Sequence, residues 1–217
     1  LSRIVINDGM DVLGGAGISR GPRNLLANPY IGAPIGITVE GANILTRSMI
    51  IFGQGALRCH PFAYREFSAV GNNDLKEFDA AFWGHVGHVI KNSARVLVST
   101  LTRGYLIRAP LGSNRRHYQK LVWASSVFAL MSDVAMGTLG GQLKFREKLT
   151  GRFSDILAWM YIATATLRKA EADGRPSNQQ AFVNWSIYYA LNEIQNAFDN
   201  IFKNLNVPVI GWFFRVP

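Results

Sequence analysis

The chain has 217 residues, 48% of them apolar, enough to build one large or two small packed domains. Its 23 Lys and Arg against 14 Asp and Glu give a formal charge of +9, which favours an anionic partner; the basic residues are scattered, with no basic run and no nucleic-acid-binding motif, so nucleic acid is set aside. The single cysteine, Cys59, excludes an intrachain disulfide and any CxxC redox or metal site, and fits a reducing, cytoplasmic compartment.

Apolar residues recur at three- and four-residue spacing in most long segments, so the expected fold class is all-α. The chain opens at Leu1 in what reads as a helix under way and stops at Val216-Pro217 after the apolar Trp212-Phe213-Phe214, so both ends read as cut. The first helix is expected to end at Gly14-Gly15-Ala16-Gly17, whose glycines supply positive-φ residues. From Ile18 to Val39, Gly21, Pro22, Pro29, Gly32, Pro34 and Gly36 predict a long, shaped loop. Ala42 to Phe52 resumes the helical pattern, with a break or kink at Gly53, Gly55 and Pro61.

Asp74 is the expected N-cap of a long helix to about Thr102, with Phe78, Phe82, Val86, Val89, Ile90 and Leu97 on its apolar face. Leu106 to Asn114 is polar and marked by Gly and Pro, which places a boundary between a region at 1–105 and one at 115–217. Three further helices are expected over about Arg116–Lys148, Arg152–Ala172 and Asn178–Leu205, forming a bundle. The most apolar stretches, Val127–Met131 and Ile156–Leu167, fall short of the roughly 20 residues a bilayer requires, and no transmembrane helix is expected.

Two elements carry the chemistry. Met10-Asp11-Val12-Leu13-Gly14-Gly15-Ala16-Gly17 closes the first helix, and Thr38-Val39-Glu40-Gly41-Ala42-Asn43-Ile44-Leu45-Thr46-Arg47 follows some two dozen residues later. Together they resemble the acyl-CoA dehydrogenase family, whose C-terminal helical domain carries a (Q/D)-x-L-G-G-x-G element and then a Y-E-G-T-x-x-I-Q-R element. The flanking Ile44 to Pro61 is similar to the large bacterial FadE-type branch, which has an additional C-terminal helical region that Lys120 to Leu205 resembles. The resemblance thus implies a truncated dehydrogenase C-terminal helical bundle domain at 1–105 followed by that additional region, also truncated, at 115–217.

The resemblance implies a flavoenzyme of fatty-acid β-oxidation that uses FAD to convert acyl-CoA into trans-2-enoyl-CoA, passes electrons to electron-transferring flavoprotein, and is a homo-oligomer. Glu40 matches the family's catalytic base, whose carboxylate becomes useful near neutral pH once burial raises its pKa. Gly14, Gly15, Gly41 and Asp11 match positions close to the flavin. Asp11 stands where most relatives have Gln, and Ala42 and Ile44 replace residues that usually contact flavin. From the residues alone, Glu40 also reads as a surface carboxylate near a helix N-terminus and the glycines as a helix cap.

Elsewhere, His85 and His88 at i, i+3 lack a suitably placed third ligand, so a packing or surface role is expected and no metal. Asp133 near Ser132 and Asp155 three residues after Arg152 read as structural polar pairs. Cys59 and His60 are adjacent and point apart, which argues against a nucleophile. Phe182, Trp185, Tyr188, Tyr189, Phe198 and Phe202 are expected in the core. Two other functional readings stand beside the dehydrogenase: an acyl-CoA oxidase, and a helical interaction module without activity. The charge and the apolar Val209 to Phe214 motivate the second, with peripheral contact at the inner membrane.

Overall fold

The computed structural model describes residues 2–39, 43–174 and 177–205, and among these it holds helices and turns but no strand, as the all-α expectation requires. They belong to two compact units, Leu1–Thr46 and Arg47–Pro217.

In the first unit, α1 (Ser2–Leu13) stops where the glycines place its end: Gly14 takes φ +54°, a left-handed conformation, and a 3-10 turn over Gly14–Gly17 follows. At Gly9 a β-carbon would stand 2.4 Å from Leu26 Cδ1, so a larger residue there would require the end of the Leu26 side chain to shift. Leu26 leads into α2 (Ala27–Gly32), and a 3-10 turn covers Ala33–Ile37. These helical pieces correct the expectation of a loop throughout 18–39. Pro29 and Pro34 sit in first turns, where the missing amide hydrogen has no intrahelical partner and the fixed φ suits the helix. The short α3 (Asn43–Leu45) comes next.

The second unit opens with a π-helix over Thr46–Gln54 that buries Ser48 and Phe52, continued by α4 (Gly55–Cys59). Gly53 changes the helical register instead of breaking it. The carbonyl of Ser48, five residues back, would lie 3.2 Å from its β-carbon, a closeness that a glycine tolerates. After α5 (Ala63–Gly71), Asp74 caps α6 (Leu75–Leu101) as expected, its carboxylate accepting from the amide of Glu77 at 3.0 Å.

α7 (Arg115–Leu139) is shorter than its apolar pattern suggests, because Gly140 takes φ +50° and a 3-10 turn over Gly140–Phe145 replaces the last expected turns. α8 (Glu147–Ala172) accordingly begins earlier than Arg152, and α9 (Gln180–Asn204) completes the chain's described helices. α8 and α9 make the most extensive helix pair. Along α8, Phe153, Ile156, Met160, Ala163 and Leu167 recur at helical spacing; Val183, Ile187, Ala190, Ile194, Ala197 and Ile201 answer from α9, with Met131 and Ala135 of α7 closing the same core. Phe52 of the π-helix stacks on Phe153 at 4.2 Å between ring centroids, and both meet Phe128 of α7 edge-on.

Part of the aromatic stripe on α9 corrects its expectation. Phe198 is buried, but Phe182, Trp185 and Tyr188 are exposed, since the aliphatic positions between them take the inward face. On α6, Phe82, Ile90 and Leu97 are likewise exposed, while the small or polar Ala81, Asn92 and Ser99 are buried. The helical stretch Arg115–Phe145 is long and apolar enough by composition to cross a membrane, which corrects the reading from apolar runs alone. Its packed side nevertheless carries His117, Gln119, Ser132 and Asp133, polar groups held by partners inside this fold.

Phe153→Ala removes a fully buried ring from between Phe52 and Phe128 and is expected to lower unfolding free energy by about 3–5 kcal/mol. Urea unfolding followed by circular dichroism checks this through a lowered midpoint at unchanged slope.

Candidate functional site

The glycine turn of the first unit is built and held by residues that the sequence reading did not single out. Asn24, buried at 7% exposure, donates from Nδ2 to the carbonyls of Gly17 (2.9 Å) and Ser19 (3.0 Å), while its Oδ1 accepts from the amide of Leu26 at 3.1 Å. One side chain thereby ties the end of the turn to the start of α2. Among the described residues nothing stands within 4 Å of where a β-carbon of Gly14 or Gly15 would be. Gly17 is different: its β-carbon position lies 3.2 Å from the carbonyl oxygen of Met10, which gives that glycine a packing reason. Asp11, in the last turn of α1, is exposed.

Glu40 and Gly41 lie outside the described residues, as does Ala42. Arg47, which ends the same sequence element, lies in the π-helix and forms a fork with Asp155 of α8, Nε to Oδ1 and Nη2 to Oδ2. This hydrogen-bonded pairing holds the guanidinium above its usual range, against the opposing effect of burial. The fork corrects the expected Arg152–Asp155 pair; Arg152 instead donates to the carbonyl of Asn200. Gly151 lets the fork form, its β-carbon position lying 3.3 Å from the Arg47 guanidinium carbon.

A second cluster lies where α5, α6 and α7 meet. Asp133 pairs with His60 and not Ser132, whose hydroxyl turns back to the carbonyl of Phe128. His60 Nε2 stands 2.9 Å from Asp133 Oδ1, both side chains almost wholly buried, and His60 Nδ1 accepts from the amides of Phe62 (3.2 Å) and Ala63 (2.9 Å) at the start of α5. His85 Nδ1 is 2.9 Å from Glu66 Oε1, and its Nε2 is 3.9 Å from Asp133 Oδ1. His88 Nε2 is 2.9 Å from Asn92 Nδ2.

Burial holds His88 below the usual histidine range. The cationic forms of His60 and His85 and the charge of Arg95 push the same way, and Asp133 opposes them. His85 and His88 thus do not share a partner, but His60 and Asp133, from opposite sides in sequence, complete a cluster with His85. Sequence spacing could not show this, because the three residues come from different elements. Cys59 is exposed while the neighbouring His60 is buried, as their adjacency implies.

The described part is thus an all-helical protein with a glycine turn closing its first helix and a buried histidine–carboxylate cluster in its larger unit. Residues 57–217 match the family described as acyl-CoA dehydrogenase, C-terminal, bacterial type, and the chain belongs to that family. The match spans α5 to α9 and begins after the segment that holds Gly14 and Glu40. No solved structure matches this chain.

Asn24→Ala is expected to raise hydrogen exchange at the Leu26 amide by about tenfold or more, because a buried hub of three hydrogen bonds is worth about 1–3 kcal/mol. Exchange followed by NMR checks it, with the amides of α9 serving as an unaffected reference.

Proposed function

We propose that this chain is the C-terminal portion of a bacterial flavoenzyme that oxidises acyl-CoA to trans-2-enoyl-CoA, with Glu40 as base. Membership of the acyl-CoA dehydrogenase family is the observation that carries the reading, and the order of the Gly14 and Glu40 elements supports it. The small Gly14 and Gly15 fit a flavin dinucleotide lying close, with Asp11 and Gly41 as neighbouring contacts. When bound, FAD supplies the acceptor for the hydride that leaves the β-carbon.

The work of the protein residues is at the α-carbon. The carboxylate of Glu40 takes the α-proton, and the electron pair of that C–H bond becomes the α–β double bond as the β-hydride departs. A free glutamate, of pKa about 4.3, is a weak base; closing the site over apolar substrate raises it towards neutrality. In the same reading the backbone amide hydrogen of Glu40 stabilises the developing enolate oxygen of the thioester, and the small Gly41 follows it in sequence.

The exposed Trp83 and Leu101 on α6 and Trp185 on α9 support burial against another subunit, so a homo-oligomer is part of the proposal. Electron-transferring flavoprotein is the proposed acceptor. A cytoplasmic location, peripheral on the inner membrane, accords with the +9 charge.

Two regions, 1–105 and 115–217, are proposed to meet at an exposed connection. Arg116 donates to the carbonyl of Arg103 at 2.6 Å and lies over the Tyr105 ring; Gln119 donates to the carbonyls of Tyr105 and Ile107. These bonds fasten residues 103–107 and leave Arg108 as the exposed basic residue of the connection. Brief trypsin treatment is expected to cut after Arg108 and leave α7 to α9 intact; a connection that survives while other sites are cut would move the boundary elsewhere.

Glu40→Gln in the full-length protein is expected to retain FAD and to slow anaerobic flavin bleaching by acyl-CoA by about a thousandfold or more, because an amide of the same shape cannot accept the proton. Near-normal bleaching would remove Glu40 from the chemistry. Turnover that needs an external acceptor, in place of peroxide production from oxygen, separates dehydrogenase from oxidase.

A further inference from the structure

One ring nitrogen each of His60 and His85 and one carboxylate oxygen of Asp133 lie within 4.8 Å of one another, close enough for a metal chelate. The hydrogen positions argue against that use. A histidine ligates through an unprotonated nitrogen and carries its hydrogen on the other, where an outer acceptor takes it. His85 has that form available, with Glu66 at Nδ1. His60 does not: two backbone N–H groups point at its Nδ1, so its single hydrogen must reside on Nε2, the atom that faces the cluster. A neutral His60 is therefore a donor to Asp133, with no lone pair to offer a cation there.

We propose that His60, Asp133, His85 and Glu66 form a two-step proton latch that pins the α4–α5 corner to α6 and α7 while His60 carries one hydrogen and releases it when His60 takes a second. A first added proton on His85 lies among carboxylates, with Nδ1 2.9 Å from Glu66 Oε1 and Nε2 within ion-pair range of Asp133 Oδ1 at 3.9 Å. It breaks no contact. A second proton on His60 would set an N–H against the amides of Phe62 and Ala63, three donors with no acceptor among them. The ring must then swing away, which uncaps the first turn of α5 and takes the donor from Asp133. Asp133 has little in reserve, because its Oδ2 is already buried without a hydrogen-bond partner among the described residues.

The charged and titratable groups facing the latch are Glu66 from α5, His85, His88 and Arg95 from α6, and Asp133 from α7. His88 adds to the acid response with a definite sign. Held below the usual range in the folded chain, it takes a proton more readily on unfolding, so its contribution is present above about pH 6.5 and is lost as pH falls from there through its lowered folded value.

The test is long-range ¹⁵N–¹H NMR of the histidine rings in the intact chain between pH 8 and 5, with hydrogen exchange of the Phe62 and Ala63 amides. The expected result is the Nε2–H form of His60 and protected amides at pH 7.5, with both lost together on acidification. His60→Asn keeps an acceptor that cannot be protonated and is expected to hold both amides protected at pH 5. Should that variant not fold, His85→Gln removes the first proton's place and moves the release upward by about one pH unit or more, because the His85 cation no longer opposes a charge on His60 4.5 Å away. An Nδ1–H form of His60 at pH 7.5 would overturn the proposal. So would unchanged amide protection of the native chain at pH 5, or stoichiometric Zn²⁺ binding that shifts the nitrogens of both His60 and His85.

Discussion

The seam between α8 and α9 is the constraint on which the larger unit depends. Each helix contributes a row of aliphatic side chains at three- and four-residue spacing, and the rows meet with Phe153, Ile156, Leu167, Ile187 and Ile201 wholly removed from water. Burying side chains of this size gives roughly 1.5–3 kcal/mol each, far above what the exposed ion pairs of this unit supply. The other elements are placed by reference to that seam. α7 closes it with Met131 and Ala135, and the π-helix reaches it through Phe52, stacked on Phe153.

The polar contacts act at a different level, choosing orientation where apolar packing is indifferent. The Arg47–Asp155 fork fixes the π-helix on α8 at the place where Phe52 enters the core, so an ion pair and an aromatic stack act on the same nine-residue element. The His60–Asp133 contact does the same for the α4–α5 corner, from inside the protein, where an unpaired carboxylate is costly.

Much of this was legible in the residue pattern and some was not, for physical reasons. The N-cap at Asp74, the stop at Gly14, the long helices and the family resemblance could be read because local chemistry or an ordered motif specifies each. The early end of α7 turned on Gly140 adopting a left-handed conformation, which outweighs an apolar period that continues beyond it. On α9 the aromatic and aliphatic residues compete for the inward face, and the smaller aliphatic ones pack more closely against α8, leaving Phe182 and Trp185 outside. Asn24, the Arg47–Asp155 fork and the histidine cluster were beyond reach, because each joins residues by tertiary contact without a local periodicity. Proline was over-read between 18 and 39, since at Pro29 and Pro34 it occupies first-turn positions that suit it.

The central claim is that the element at Glu40 removes a proton from the α-carbon of an acyl thioester. Solvent deuterium entering an acyl-CoA analogue that has no hydride to give from its β-carbon isolates that step from any later electron transfer. Mass spectrometry of the analogue recovered from the FAD-loaded full-length protein in D₂O is predicted to show deuterium at the α-carbon, with exchange abolished when Glu40 is replaced by Gln. An α-carbon that remains unlabelled with the native protein, or is labelled equally well by the variant, would contradict the account.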